Sequence, residues 1–80
     1  MGLQVQCKIT PQNTIPPVYY LFLALDIEGT HYVDQIIFEE YDGKEEIHYS
    51  KLEDVINALS NEEKNIIEDK VREVVKNYNK

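Results

Sequence analysis

The hydrophobic spacing of this chain changes period near residue 50, and that change limits the available folds more than any other feature. Before it, Leu3, Val5, Cys7 and Ile9 alternate with Gln4, Gln6, Lys8 and Thr10, the pattern of a strand with one face in water. After it, Leu52, Val55, Ile56 and Leu59 recur at helical spacing, and Ile66, Ile67, Val71, Val74, Val75 and Tyr78 continue the pattern. Pro11 ends the first strand, and residues 11–17 (PQNTIPP) read as an ordered loop because proline lacks a ladder donor. Residues 18–27 (VYYLFLALDI) are almost continuously apolar; their Tyr, Phe and Val content and the Glu28-Gly29 turn select strand over helix. A third strand spans about Thr30–Tyr41, and a fourth about Lys44–Tyr49. Between them Asp42-Gly43 is a hairpin signal, since a type I′ turn needs positive φ at both central residues. Ser50 with Glu53 and Ser60 with Glu63 each fit a capping box. The expectation is an α+β fold in the order β-β-β-β-α-α: a small antiparallel sheet of about four strands with two C-terminal helices packed on one face. Residues 1–80 read as a single domain, with 1–49 the sheet and 50–80 the helical part.

Charge narrows the function classes. Fifteen Asp and Glu against eight Lys and Arg leave a net charge of −7, where a domain that binds nucleic acid directly shows a basic footprint. No apolar run reaches membrane-spanning length, and no secretion signal opens the chain. A cytoplasmic location without membrane contact is therefore expected. One cysteine allows neither an internal disulfide nor a cysteine-based zinc site. The excess charge is also localised. Residues 26–54 hold ten acids against Lys44 and Lys51, a balance of −8, while residues 1–25 hold only Lys8 and residues 55–80 balance five against five.

A two-residue turn at Asp42-Gly43 places Phe38 opposite Ile47 and Ile36 opposite Tyr49, which keeps apolar residues on one face. It also sets Glu39 opposite Glu46 and Glu40 opposite Glu45. Like charges facing each other across a ladder cost a few tenths to about 1 kcal/mol each, and moving the register by one residue only exchanges the pairs. Folding alone does not call for this arrangement. A solvated hairpin tip that discourages edge-to-edge aggregation is the plain explanation; concentration of the whole charge excess in one region favours a binding patch.

The same register sorts the sheet faces. Leu21, Leu23, Leu25, Ile36, Phe38, Ile47 and Tyr49 share the side assigned to the helices. Tyr20, Phe22, Ala24, Val33, Ile37, Tyr41 and His48 fall on the other, rimmed by Glu39 and Glu46. A mixed aromatic and acidic face commonly marks an interaction site. It could equally be covered by the first strand or the Pro-rich loop, or by a second copy in a homodimer.

Candidate chemistry is thin. Asp34, on the core side between Tyr32 and Ile36, is the one misplaced carboxylate, and a strand end near water accounts for it. His31 is expected to face Asp26 across the turn, and His48 to lie beside Ile37. Cys7 reads as a buried inert thiol. Neither D-I-E-G nor D-G-K-E-E has calcium-loop spacing, and Gly2, Gly29 and Gly43 form no phosphate-cradling loop. No catalytic residue, cofactor or metal site is assigned.

The stretch Gln35–Ser60, a strand, an Asp-Gly turn, a strand and a Ser-capped helix, is similar in layout to part of some anti-CRISPR proteins. The likeness covers about a third of the chain. It implies a small phage-encoded, non-catalytic inhibitor acting inside the host cell. With the charge pattern, the expectation is a nucleic-acid mimic engaging a basic, nucleic-acid-binding protein. Its expected contact residues are Glu39, Glu40, Tyr41, Asp42, Glu45, Glu46 and His48, with Glu28, Tyr20, Phe22 and Ile37. The alternative is a self-associating structural or adaptor domain that uses the aromatic sheet face.

Overall fold

Two tight turns of the same chemistry organise the sheet. Glu28 and Gly29 have φ of 50° and 89°, and Asp42 and Gly43 have φ of 50° and 79°, so both hairpins turn through left-handed pairs whose twist matches the flanking strands. In the computed structural model, which describes residues 2–79, they connect β2 (Val18–Ile27) to β3 (Thr30–Tyr41) and β3 to β4 (Lys44–His48). With β1 (Leu3–Ile9) on the outer side of β2, the sheet is an antiparallel meander in the order β1-β2-β3-β4. Helices α1 (Glu53–Asn57) and α2 (Asn61–Tyr78) complete the chain. This is the expected α+β arrangement. The fourth strand stops at His48, and Tyr49 continues half-buried against the core.

Every second strand residue points to the helices. Leu21, Leu23, Leu25, Ile36 and Phe38 are sealed from solvent, together with Leu52 and Ile56 around α1 and with Ile67, Val71 and Val75 on α2. Burying side chains of this size is worth about 1.5–3 kcal/mol each. Tyr19 joins them. Its ring lies 6.0 Å from that of Phe38 and 6.3 Å from that of Tyr78, and its hydroxyl accepts a hydrogen bond of 3.0 Å from Asn79 Nδ2. That contact fastens the C-terminal turn of α2 to the sheet. Ile66 departs from the expected stripe and is 50% exposed, because it lies about 100° around the helix from Ile67.

The loop between β1 and β2 is fastened to the strand ends through Thr14. Thr14, buried within it, donates from Oγ1 to the Thr10 carbonyl (2.9 Å) and accepts from the Tyr20 N–H (3.1 Å). The loop is thereby held against the end of the strands that it joins.

The two helix starts differ. Ser60 and Glu63 form the expected capping box: Ser60 Oγ accepts from Glu63 N at 3.2 Å, and Glu63 Oε1 accepts from Ser60 N at 3.1 Å. The box expected at Ser50 and Glu53 does not form; the N-cap of α1 is Leu52, without a side-chain cap. Asp34 supplies it from another element. Its Oδ2 accepts from the Lys51 and Leu52 N–H groups while Oδ1 accepts from Gln35 N at 2.9 Å. Asp34 sits on β3 beyond the last β4 partner, where the chain passes toward α1. The carboxylate that looked misplaced in sequence is the anchor of the sheet-to-helix crossing. Replacing Asp34 by Ala should cost about 1–2 kcal/mol, the usual value of a lost N-cap. Urea unfolding checks this, and Ser50→Ala should change the midpoint far less.

Candidate functional site

The β3–β4 hairpin has the expected register, with Glu39 facing Glu46, Glu40 facing Glu45, and Ile37 facing His48. Alternation then divides the acids between the two sheet faces. Glu39, Glu46 and His48 lie on the face away from the helices. There His48 Nε2 is 2.9 Å from Glu39 Oε1 and 3.5 Å from Glu46 Oε2, so the imidazole sits between the opposed carboxylates and lowers their repulsion when protonated. Glu40 and Glu45 lie on the helix side, where Arg72 of α2 reaches across: its Nε is 2.7 Å from Glu45 Oε1. Arg72 also meets Asp69 at 3.2 Å and Glu68 at 3.4 Å. The Glu45 contact pushes the guanidinium pKa upward. Repulsion anticipated from the strands alone is therefore partly offset by the fold. Among the described residues, Glu40 and Asp42 have no cationic partner within ion-pair distance.

Glu39, Tyr41, Asp42, Lys44 and Glu46 line one shallow concavity at the hairpin tip. It opens onto the uncovered sheet face. Successive cross-strand rows on that face are Tyr20–Ile37–His48, Lys8–Phe22–Gln35, Gln6–Ala24–Val33 and Gln4–Asp26–His31. Phe22 is 49% exposed, Val33 67% and Tyr41 50%. The accessible surface, 5557 Å², exceeds the roughly 5,000 Å² typical of this mass, as an uncovered sheet face requires. Thus Tyr20, Phe22, Ile37, Tyr41 and His48 form one continuous field with the acids Glu39 and Glu46. Glu28 does not join it, because the β2–β3 turn lies at the opposite end of the twelve-residue β3.

Other groups are structurally occupied. Asp26 faces His31 as expected, with Oδ2 3.3 Å from Nδ1, and its Oδ1 accepts from Gly29 N. Glu39, Glu46 and His48 could present donor atoms to one divalent cation, since those atoms lie within 4.8 Å of one another; here they are engaged with each other at the surface. Among the described residues, neither histidine is hydrogen-bonded to a Ser, Thr or Cys nucleophile. Burial pushes the Cys7 thiol up to about 11 and the Tyr49 phenol to about 12, the latter also raised by nearby Glu68. Comparison with known protein families, characterised proteins and solved structures returns no match. No helix in the described residues is long and apolar enough to cross a membrane.

The raised thiol and phenol make stability depend on pH in the alkaline range. Both groups hold their protons more tightly folded than unfolded, so their contribution is complete below pH 9.0, the ordinary thiol value, and is lost as pH rises through about 11 and 12. Denaturation midpoints should fall from pH 9 upward, and Cys7→Ala with Tyr49→Phe should flatten that fall.

Proposed function

We propose that this chain is a non-catalytic binding domain that engages a basic protein surface through the acidic hairpin 39–46 and the adjoining open face of the sheet. One observation supports the reading: a ladder of opposed glutamates adjoins a sheet face on which Phe22, Val33 and Tyr41 stand exposed among polar residues. Carboxylates tethered by His48 and Arg72 are positioned before a partner arrives, which lowers the ordering cost of association. The uncompensated Glu40 and Asp42 supply long-range attraction. Phe22, Val33, Ile37 and Tyr41 then supply apolar contact, with aromatic side chains of the kind enriched at interface centres.

The partner that fits is a nucleic-acid-binding protein. On the open face Glu39 and Glu46, with Asp42 at the tip, present carboxylates to cationic side chains of the kind that otherwise hold phosphates. Occupying those side chains excludes nucleic acid, so the expected outcome is inhibition, as in the small phage-encoded inhibitors of the anti-CRISPR kind that part of the chain resembles.

Glu40→Lys with Asp42→Asn is the informative variant. Neither side chain holds the fold together, and an Asn-Gly pair keeps the turn. Immobilised wild-type chain should retain basic proteins from a lysate at low salt. Duplex DNA or RNA should displace them, and the double variant should lose them at least about tenfold. Retention unchanged by the double substitution, or by Phe22→Asp, overturns the proposal.

A further inference from the structure

The backbone hydrogen bonds of the sheet leave one edge open. Residues 2, 10, 20 and 28 direct their polar groups between β1 and β2: Thr10 N donates to the Tyr20 carbonyl at 2.8 Å and Glu28 N to the Gly2 carbonyl at 2.7 Å. By alternation the even residues of β1 face β2, and Leu3, Val5, Cys7 and Ile9 turn their N–H and C=O groups outward. As β1 is the terminal strand, those groups have no partner in the sheet. A free edge is a template for another strand, and folds usually blunt it. The β4 edge is blunted: it is five residues long, carries Glu45 and Glu46, and is crossed by the Arg72 side chain. The uncovered stretch of β3 is blocked at Gln35, whose N–H is taken by Asp34. β1 is seven residues long, without proline, and bears Lys8 as its only charge.

We propose that β1 pairs antiparallel with β1 of a second copy, joining two protomers into one continuous eight-stranded sheet. A register centred on Gln6 uses the entire strand. Leu3 then faces Ile9 of the second copy, and Val5 faces Cys7 of the second copy, so each outward donor meets an outward acceptor. All four of these side chains lie on the helix side, and their pairing extends the apolar layer across the joint. On the opposite side Gln4 meets Lys8 of the second copy and Gln6 meets its own equivalent. The two lysines stand apart, and no carboxylate of β1 opposes another.

Helix α2 supplies an independent observation. Arg72 faces Glu45 of β4, so the flank of α2 carrying Ile66 and Lys70, well over 90° around the helix, lies on the β1 side. Lys70 is near enough to Cys7 to lower its pKa against the effect of burial. Ile66, half-exposed and off the core stripe, lines a shallow groove with Leu3, Ser60, Glu62 and Glu63. In the Gln6-centred register Ile9 of the second copy arrives beside Leu3, at the mouth of that groove.

Sedimentation equilibrium of the full chain from micromolar to millimolar concentration should show a monomer–dimer equilibrium with a dimer of twice 9.4 kDa. Gln6→Lys, which opposes like charges at the symmetry axis without touching the core, should weaken it roughly fivefold. In a Cys7→Ser background, Gln6→Cys should form an intermolecular disulfide under mild oxidation, whereas Lys8→Cys, whose neighbour across the joint is Gln4, should not. Circular dichroism checks that each variant is folded, and Glu40→Lys with Asp42→Asn should leave the association state unchanged. A strict monomer at millimolar concentration, a dimer insensitive to Gln6→Lys, or preferential cross-linking at residue 8 overturns the proposal. Each of these results is independent of whether the acidic hairpin binds a basic partner.

Discussion

The parity of the sheet is the constraint on which the rest of this structure depends. Each hairpin closes in two residues, and each can do so only because an X-Gly pair adopts positive φ. Two short turns leave no slack between β2 and β4. Once Leu21, Leu23 and Leu25 face the helices, every other strand residue has its face decided, as does the direction of each backbone N–H. A change of one residue in the first turn would send Ile36 and Phe38 into water and bring Gln35 and Ile37 into the core, and one in the second would turn Ile47 outward. The buried core, the acidic ladder and the outward-facing edge of β1 all derive from this single alternation.

Features set by alternation were legible in the sequence. The β2–β3–β4 pairing, the faces of those strands, the opposed glutamates and the His31–Asp26 pair needed only the turn positions and a period of two. The capping box at Ser60 was legible because its partners are three residues apart. Contacts between remote segments escaped. Asp34 caps α1 from a strand about seventeen residues earlier, and Ser50 with Glu53 looked like a sufficient local answer. Arg72 meets Glu45 across 27 residues of sequence, so the hairpin looked more strained by its own charge than it is. Ile66 was placed in the apolar stripe because stripe membership tolerates a wide arc, whereas burial on a four-strand sheet does not. The unassigned β1 residues Gln4, Gln6 and Lys8 complete the open face; their alternation was visible, but their position at the edge required the strand order.

The proposed partner binding and self-pairing would use different parts of the sheet. The acidic hairpin includes β4, at one edge, and β1 forms the other. Strand pairing across β1 has its two-fold axis perpendicular to the sheet, so both open faces would look the same way. At about 4.8 Å per strand the hairpin midlines would stand roughly 29 Å apart across the sheet, and farther along it, because the two tips project from opposite ends. Two acidic sites at that spacing could engage a partner with two basic grooves, or two subunits of one assembly, and gain from effective concentration without any new contact.

Charge also decides which edge can join. Two β4 edges brought together would set Glu45 and Glu46 of one copy against those of another, adding like charges to a ladder that already opposes its own. Two β1 edges bring together the least acidic part of the chain, residues 1–25, whose only charged side chain is Lys8. The −8 carried by residues 26–54 is concentrated toward β3, β4 and the start of α1. At physiological salt, attraction and repulsion between exposed charges fade over about 8 Å, far less than the hairpin separation. The chain can therefore be strongly acidic and still pair with itself, because most of the excess carried by residues 26–54 lies toward the edge that pairing would leave free.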